Sequence, residues 1–242
     1  MSTGISTIAA EEGLLDAVHL TNEQGIVGGA PITGRDSGGG QNFAAMIEQP
    51  AQFDFYDGGG LDLAFLSFAE VDPQGNVNVS RFGDKIIGVG GFINISQNAR
   101  CVVFSGTLTA GDLDIGWEDA RTIIRKEGRH RKFVPKLEQI CYSAEIGRAK
   151  GQLTLFVTER AVFRVGRDGL ELVEIAPGLD AERDVIAHMG FRPRVASDLR
   201  EMDRRIFDPA PMELAAYVRA KSRRYRSPRV AQWYEARKAS VG

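Results

Sequence analysis

Two runs rich in β-branched and aromatic residues, LDLAFLSFAEV at 61–71 and CVVFSGTLT at 101–109, bracket the stretch IIGVGGFINISQNAR at 86–100, which reads as strand, glycine turn and helix start. A strand that is apolar at nearly every position has no face suited to water. It must be covered on both sides, which is the condition of strands in parallel sheets flanked by helices. Repetition of strand, glycine-rich turn and helix therefore predicts an α/β fold, an open and mostly parallel sheet with flanking helices. The segment 133–175 differs in character. There KLEQICYSA, QLTLFVTERAVFRV and DGLELVEIA alternate, with turns at ERA and RDG, and predict an antiparallel meander.

The remaining elements are shorter. Residues 6–18 pattern as a helix capped by Ser6, and 42–49 as a second helix stopped by Pro50. Residues 32–41 lack periodicity and read as a flexible loop, DPQGNVNVS at 72–80 as a turn and short strand, and the stretch after Asp180 as a helix capped by that aspartate. A main domain is expected over 1–210, followed by a basic helical arm over 211–242.

Composition narrows the function classes. With 242 residues, 43% of them hydrophobic, the chain can bury a full core. A net charge of -2 leaves no field to hold nucleic acid or an anionic membrane, and the basic stretches at 121–136 and 219–238 read as solvated surface. No apolar run approaches the roughly 18 residues needed to span a bilayer. Cys101 and Cys141 stand in the apolar contexts ARCVVF and EQICYS without CxxC spacing, as expected of buried reduced thiols in a cytoplasmic protein. His19, His130 and His188 show neither HxxxH nor HExxH spacing, so no metal is expected. GxSxG, GxGxxG and phosphate-loop patterns are absent.

What remains is a set of glycine-rich turns after probable strands, where open α/β sheets bind ligands. One of them, HLTNEQGIVGGAP at 19–31, carries a lone carboxylate, Glu23. From the residues alone Glu23 could be a base, a nucleophile or a turn anchor.

Four long motifs in order carry a resemblance: AAEEGLLDAVHLTNEQGIVGGAP, QFDFYDGGGLDLAFLSFAEVDPQGNVNVSRFG, GVGGFINISQNARCVVFSGTLTAGDL and ERDVIAHMGFRPRVASDLREMDRRIFDPAPMEL. Over about residues 4–214 the chain resembles the second half of the family I CoA-transferases, closest to the acetate and propionate type. The resemblance implies a CoA-transferase-like fold and places the family's catalytic glutamate on Glu23. It implies a ping-pong transfer of CoA, through an acyl-glutamyl anhydride and a glutamyl-CoA thioester, between short-chain acyl-CoAs and carboxylic acids. It assigns backbone oxyanion donors to Gly90 and Gly91, and gives Gly28 and Gly29 the role of letting the chain pass behind Glu23. Gly58, Gly59, Gly60, Asn76, Asn78 and Phe82 are expected along the acyl or pantetheine channel, with turn hydrogen bonding an equal reading for the two asparagines. Tyr56 and Phe55 are expected in the core and Lys85 in solvent. CoA and acyl-CoA enter as substrates, with no other cofactor.

The sequence also departs from the family. The strand and GIG-type turn that normally begin this half are missing, and Gln24 stands where a small residue is usual. The family's other half is absent too, so an α-subunit-like partner and an oligomer are expected. An acyl-CoA hydrolase on the same scaffold and a non-catalytic CoA-binding subunit are the alternatives.

Overall fold

The computed structural model describes residues 4–32, 34 and 38–220. In chain order its main elements are α1 (Ile5–Glu11), α2 (Gln49–Asp57), β1 (Leu63–Ser67), α3 (Phe92–Asn98), β2 (Cys101–Ser105), β3 (Asp114–Glu118), β4 (Arg121–Lys126), α4 (Ala144–Ala149), β5 (Leu153–Val157), β6 (Ala161–Gly166), β7 (Gly169–Ile175), β8 (Arg194–Glu201) and α5 (Leu214–Ala220). Six of the strands form the central sheet in the order β8-β7-β6-β5-β2-β1. Strands β1, β2 and β5 run parallel in register, β5, β6 and β7 are antiparallel neighbours, and β8 lies parallel to β7. The mostly parallel α/β sheet expected from the sequence is present, and the meander is part of that same sheet.

The core lies on one face of the sheet. Phe104 of β2 stacks on Phe92 of α3 and on Phe156 of β5, with centroids 5.6 and 5.1 Å apart, and meets the Tyr142 ring edge-on at 5.0 Å. Val102, Phe104, Phe156, Phe163 and Leu172 are fully buried there. Burial pushes the Tyr142 phenol up, and its oxygen pairs with Gln152 and Thr154. At the turn between β5 and β6, the buried Arg160 guanidinium donates to Glu159, Glu127 and the carbonyl of Asp184. This ties the carboxyl ends of the parallel strands to two distant segments. Beside it, Lys132 lies 3.9 Å above the centre of the Phe68 ring. Burial, opposed in part by the Glu159 charge, lowers its ammonium to about 8.

A lysine whose folded pKa lies below its unfolded value holds its proton more tightly in the unfolded chain. Stability should therefore rise as pH climbs from about 8 to 10.5. The change Lys132→Met should stabilise the protein at pH 7 by about 1–2 kcal/mol, with the gain vanishing near pH 10.5, as read by thermal melting across that range.

Several sequence expectations need correction. Residues 42–49 are not a helix: Ala45–Met46 pair with Ile26–Val27, and Pro50 sits in the first turn of α2. Proline's fixed φ and missing N–H suit a helix start as well as a helix end. The first helix stops at Glu11, before Gly13 at φ +64°, and Ser6 donates to the Pro31 carbonyl rather than capping. The supposed loop at 32–41 ends in Gly40–Gln41, paired with Ala30–Pro31; residues 33 and 35–37 lie outside the described ones. The meander begins only at Leu153, since 133–152 carries α4, capped by the Ser143 hydroxyl.

The Asp180 cap holds, accepting from the Arg183 amide at 2.8 Å, although the helix that follows is brief. Of the basic arm, α5 is described and 221–242 lie outside the described residues. Glu12 fastens that arm to α1 by accepting from the Met212 and Leu214 amides at 2.6 and 2.9 Å, and these bonds hold its carboxyl below the usual range. Among the described residues no helix is long and apolar enough to cross a membrane.

Candidate active site

Glu23 stands at the tip of a tight turn. The Gly25 amide donates to the Asn22 carbonyl at 3.2 Å, and Thr21 bridges Val27 below the turn. The Asn22 side chain braces the loop from inside, accepting from the Ile26 amide and donating to the Gly38 carbonyl. Gly25 has φ +96°, and a Cβ there would run into the Ile47 carbonyl oxygen. Only glycine fits that place. Gly28 at φ +77° and Gly29 at φ +66° let the chain turn back past Ala44 and Gln41.

The glutamate points at Gly91. A Cβ on Gly91 would overlap Glu23 Oε2 and come within 2.8 Å of the Phe53 ring, so carboxylate, ring and glycine meet at one point. Gly91 is the residue before α3, and the carboxylate therefore lies at the positive end of that helix. Neither the Gly90 nor the Gly91 amide has an acceptor among the described residues. Gly90, at φ +52°, has nothing beside it. Half-exposed carboxylate and free backbone donors thus stand side by side.

Helix α2 holds the other flank. Gln52 donates to the Thr21 hydroxyl, which also pairs with the Tyr56 hydroxyl at 3.0 Å, and Phe53 meets Tyr56 edge-on at 5.9 Å. Burial pushes the Tyr56 phenol up, the Thr21 and Gln52 bonds oppose this, and the nearby Glu23 charge adds to the rise. Sequence patterning overlooked Thr21, Gln52 and Phe53. The run QFDFY carries the relevant spacing, since Gln52, Phe53 and Tyr56 share a helix flank.

The other predicted residues divide. Asn78 is fully buried and saturated: its amide donates to Glu70 and to the Arg81 carbonyl, and its oxygen accepts from the Ser80 and Arg81 amides. It fixes the base of the hairpin Arg81–Phe82/Lys85–Ile86, which carries Phe82 and leads the chain to Gly90 and Gly91. Asn76 is likewise committed, donating to Asp72 and accepting from the Ala144 amide. Turn hydrogen bonding occupies the side-chain amides of both. Gly58, Gly59 and Gly60 stop α2, with amides donating to Asp54, Tyr56 and Phe55, and Gly60 leaves room for the Phe55 ring. They lie at the carboxyl end of the helix that carries Phe53. Tyr56 is in the core as expected, whereas Phe55 is half exposed. Lys85 is exposed as expected.

Loss of the Asn78 amide would leave the Ser80 and Arg81 amides and the Glu70 carboxylate without their partner. Asn78→Ala should cost about 2–4 kcal/mol, visible as a lower denaturation midpoint.

Exposed apolar side chains stand on the segments that frame this point: Phe43, Met46 and Ile47 on the segment that meets Gly25, Ile86 and Ile87 on and just after the hairpin, and Ile93 on the first turn of α3. Among the described residues no group of three His, Cys, Asp or Glu is placed to hold a metal. The site offers a carboxylate and backbone dipoles, which suits nucleophilic attack on a carbonyl and stabilisation of the oxyanion that follows.

Comparison with known proteins agrees with this chemistry. No family model matches. The chain is 45% identical over 212 residues to the acetate CoA-transferase YdiF of Escherichia coli K12, covering 88% of this chain and 40% of that protein. It is 39% identical over 208 residues to the caffeate CoA-transferase of Acetobacterium woodii, covering 84% and 40%. The crystal structure of the acyl-CoA transferase YdiF apoenzyme from Escherichia coli O157:H7 superposes with a TM-score of 0.82 at 46% identity, over 87% of this chain and 40% of that one. YdiF has also been solved as a thioester complex with CoA, with the same TM-score. Glutaconate CoA-transferase from Acidaminococcus fermentans shares the fold at 19% identity, with a TM-score of 0.63 over 86% of this chain and 82% of that one. The chain spans about two-fifths of the length of the curated relatives it matches. Over that part, in sequence and in fold, it matches the CoA-transferases.

Proposed function

We propose that the chain is the catalytic half of a CoA-transferase, with Glu23 as the nucleophile and the Gly90 and Gly91 amides as oxyanion donors. The contact of the Glu23 carboxylate with Gly91 carries this reading. In the first step a Glu23 oxygen attacks the acyl-CoA carbonyl and CoA leaves as thiolate, giving a mixed anhydride. The thiolate then attacks the glutamyl carbonyl, releasing the first acid as carboxylate and leaving glutamyl-CoA thioester. An incoming carboxylate attacks that thioester and expels the thiolate, which takes the new acyl group and frees Glu23. Anhydride and thioester conserve the activation of the substrate, so no nucleotide is consumed. Each tetrahedral oxyanion gains about 3–4 kcal/mol from a well-aimed amide.

The relatives named for acetate and caffeate support carboxylic acids as acceptors, short ones first. The shared part covers only two-fifths of those relatives, and the apolar rim of the site is open. Both support a partner polypeptide that completes the pocket. Two free cysteines support a reducing, cytoplasmic setting.

The test is to reconstitute the chain with the unmatched remainder of Escherichia coli YdiF and supply acetyl-CoA with propionate. Propionyl-CoA should form with parallel-line kinetics. Release of CoA without acceptor acid would mark a hydrolase instead, and absence of propionyl-CoA would contradict the proposal.

A further inference from the structure

Glu23 has an apolar side chain beside it as well as a glycine. The point where a Cβ on Gly91 would stand touches Glu23 Oε2 and lies 2.8 and 3.0 Å from Cζ and Cε1 of Phe53. Those two carbons belong to the outer tip of the ring. Carboxylate and ring tip therefore border the same small volume.

The ring is held in that place. Phe53 meets Tyr56 edge-on, with centroids 5.9 Å apart and planes at 82°, which resists its rotation. Tyr56 is 2% exposed, and its hydroxyl pairs with that of Thr21, two residues before Glu23, which also accepts from the buried Gln52 amide. Helix α2 is fastened to α3 as well. The Asn94 side-chain amide donates to the Asp57 carboxylate and that of Asn98 to the Asp57 carbonyl, each at 2.9 Å. Withdrawing α2 would break these bonds, so the glutamate turn, the ring and Gly91 form one framed unit. The ring of Phe55, on the same helix, is placed differently. It is 51% exposed and packs over Gly60 at the helix's carboxyl end.

Covalent geometry says what such a ring would touch. An acyl group joined to a carboxylate oxygen has its α-carbon two bonds from that oxygen and any β-carbon three bonds away. Those separations are about 2.5 Å and at most about 3.9 Å. Apolar atoms are in contact at about 4 Å, so the first carbons of a bound acid reach the tip of Phe53. A straight chain has room to run along the ring edge and gains apolar contact there. A ring or a branch set directly on the carboxyl group's neighbour needs volume that Phe53 already fills, and overpacking a rigid site is costly.

We propose that Phe53 sets the size of the acyl group at this site, admitting unbranched aliphatic carboxylic acids and rejecting those with a ring or a branch at the α-carbon. This rests on the reading of Glu23 as the nucleophile, and it names the class of acid that the nucleophile meets.

A competition tests it. The chain is reconstituted with the unmatched remainder of Escherichia coli YdiF and given acetyl-CoA with equal concentrations of propionate and benzoate. Initial rates of propionyl-CoA and benzoyl-CoA formation are read by chromatography. The wild type should favour propionate at least ~tenfold, the scale on which pockets discriminate by small differences in apolar volume. Phe53→Ala should lower that ratio at least ~tenfold, and Phe53→Leu, which loses the ring tip but keeps an apolar stem, should lower it in the same direction. A ratio taken within one mixture does not depend on how much enzyme is folded. Phe55→Ala should leave the ratio as it is. The proposal is overturned if the wild type uses benzoate as readily as propionate, if both Phe53 variants keep the wild-type ratio or lose both products, or if Phe55→Ala shifts the ratio equally. Absence of all transfer by the wild type overturns the transferase reading and this proposal together. Transfer with an unaltered ratio overturns this proposal alone.

Discussion

Glu23→Ala is expected to remove CoA transfer by about 10⁴-fold or more while leaving the fold intact. In the proposed mechanism both covalent intermediates form on this carboxylate, the acidic group that lies against Gly91. Glu23 is half-exposed at the tip of a turn, and its carboxylate accepts a long bond, 3.4 Å, from the Gln24 side-chain amide. Its loss therefore costs the core little, and the melting temperature should move by no more than a surface substitution allows. Glu23→Gln is expected to fail as completely, since an amide oxygen makes a poor nucleophile and its acylated form does not lead to a thioester. Steady-state rates of acyl exchange in the reconstituted enzyme, alongside thermal melting, measure both effects.

The second large effect is expected at Gly91. A Cβ there would occupy the place of Glu23 Oε2 and press on Phe53, yet the backbone, at φ -78° and ψ 1°, accepts any residue. Gly91→Ala should therefore fold, but with the carboxylate driven off its amide donors. A displacement of about 1 Å typically costs on the order of 10²-fold in rate, and the loss should appear in kcat more than in KM. Gly25→Ala makes the contrast. Its Cβ would meet the backbone oxygen of Ile47 in a left-handed conformation, so that change should lower stability as well as activity.

The sequence foretold some of this and missed the rest for identifiable reasons. Apolar runs gave β1 and β2, and the glycine turn between them gave the approach to α3, because backbone freedom and β-branched runs are local signals. Pro50 misled because one residue type serves both as helix stop and helix start, and only the pairing of Ala45–Met46 with Ile26–Val27 decides which. Asn76 and Asn78 were ambiguous for the same reason: their partners, Ala144 and Glu70, are set by tertiary contact. The alternating exposure of LAFLS was hidden altogether. Alternation of exposure along LAFLS appears only when both faces are seen, since the sequence is apolar on each. Glu23 was legible as a lone acid among glycines, and its nucleophilic role came from resemblance. What the structure adds is the meeting of its carboxylate with Gly91 and Phe53.

The central claim is a covalent one, and peptide mass spectrometry addresses it most directly. The reconstituted enzyme is incubated with acetyl-CoA, trapped in acid and digested. A CoA adduct should appear on the peptide containing Glu23, be lost on hydroxylamine treatment or on adding excess acetate, and be missing in Glu23→Ala. No adduct in the wild type, or an undiminished one in Glu23→Ala, would contradict the account.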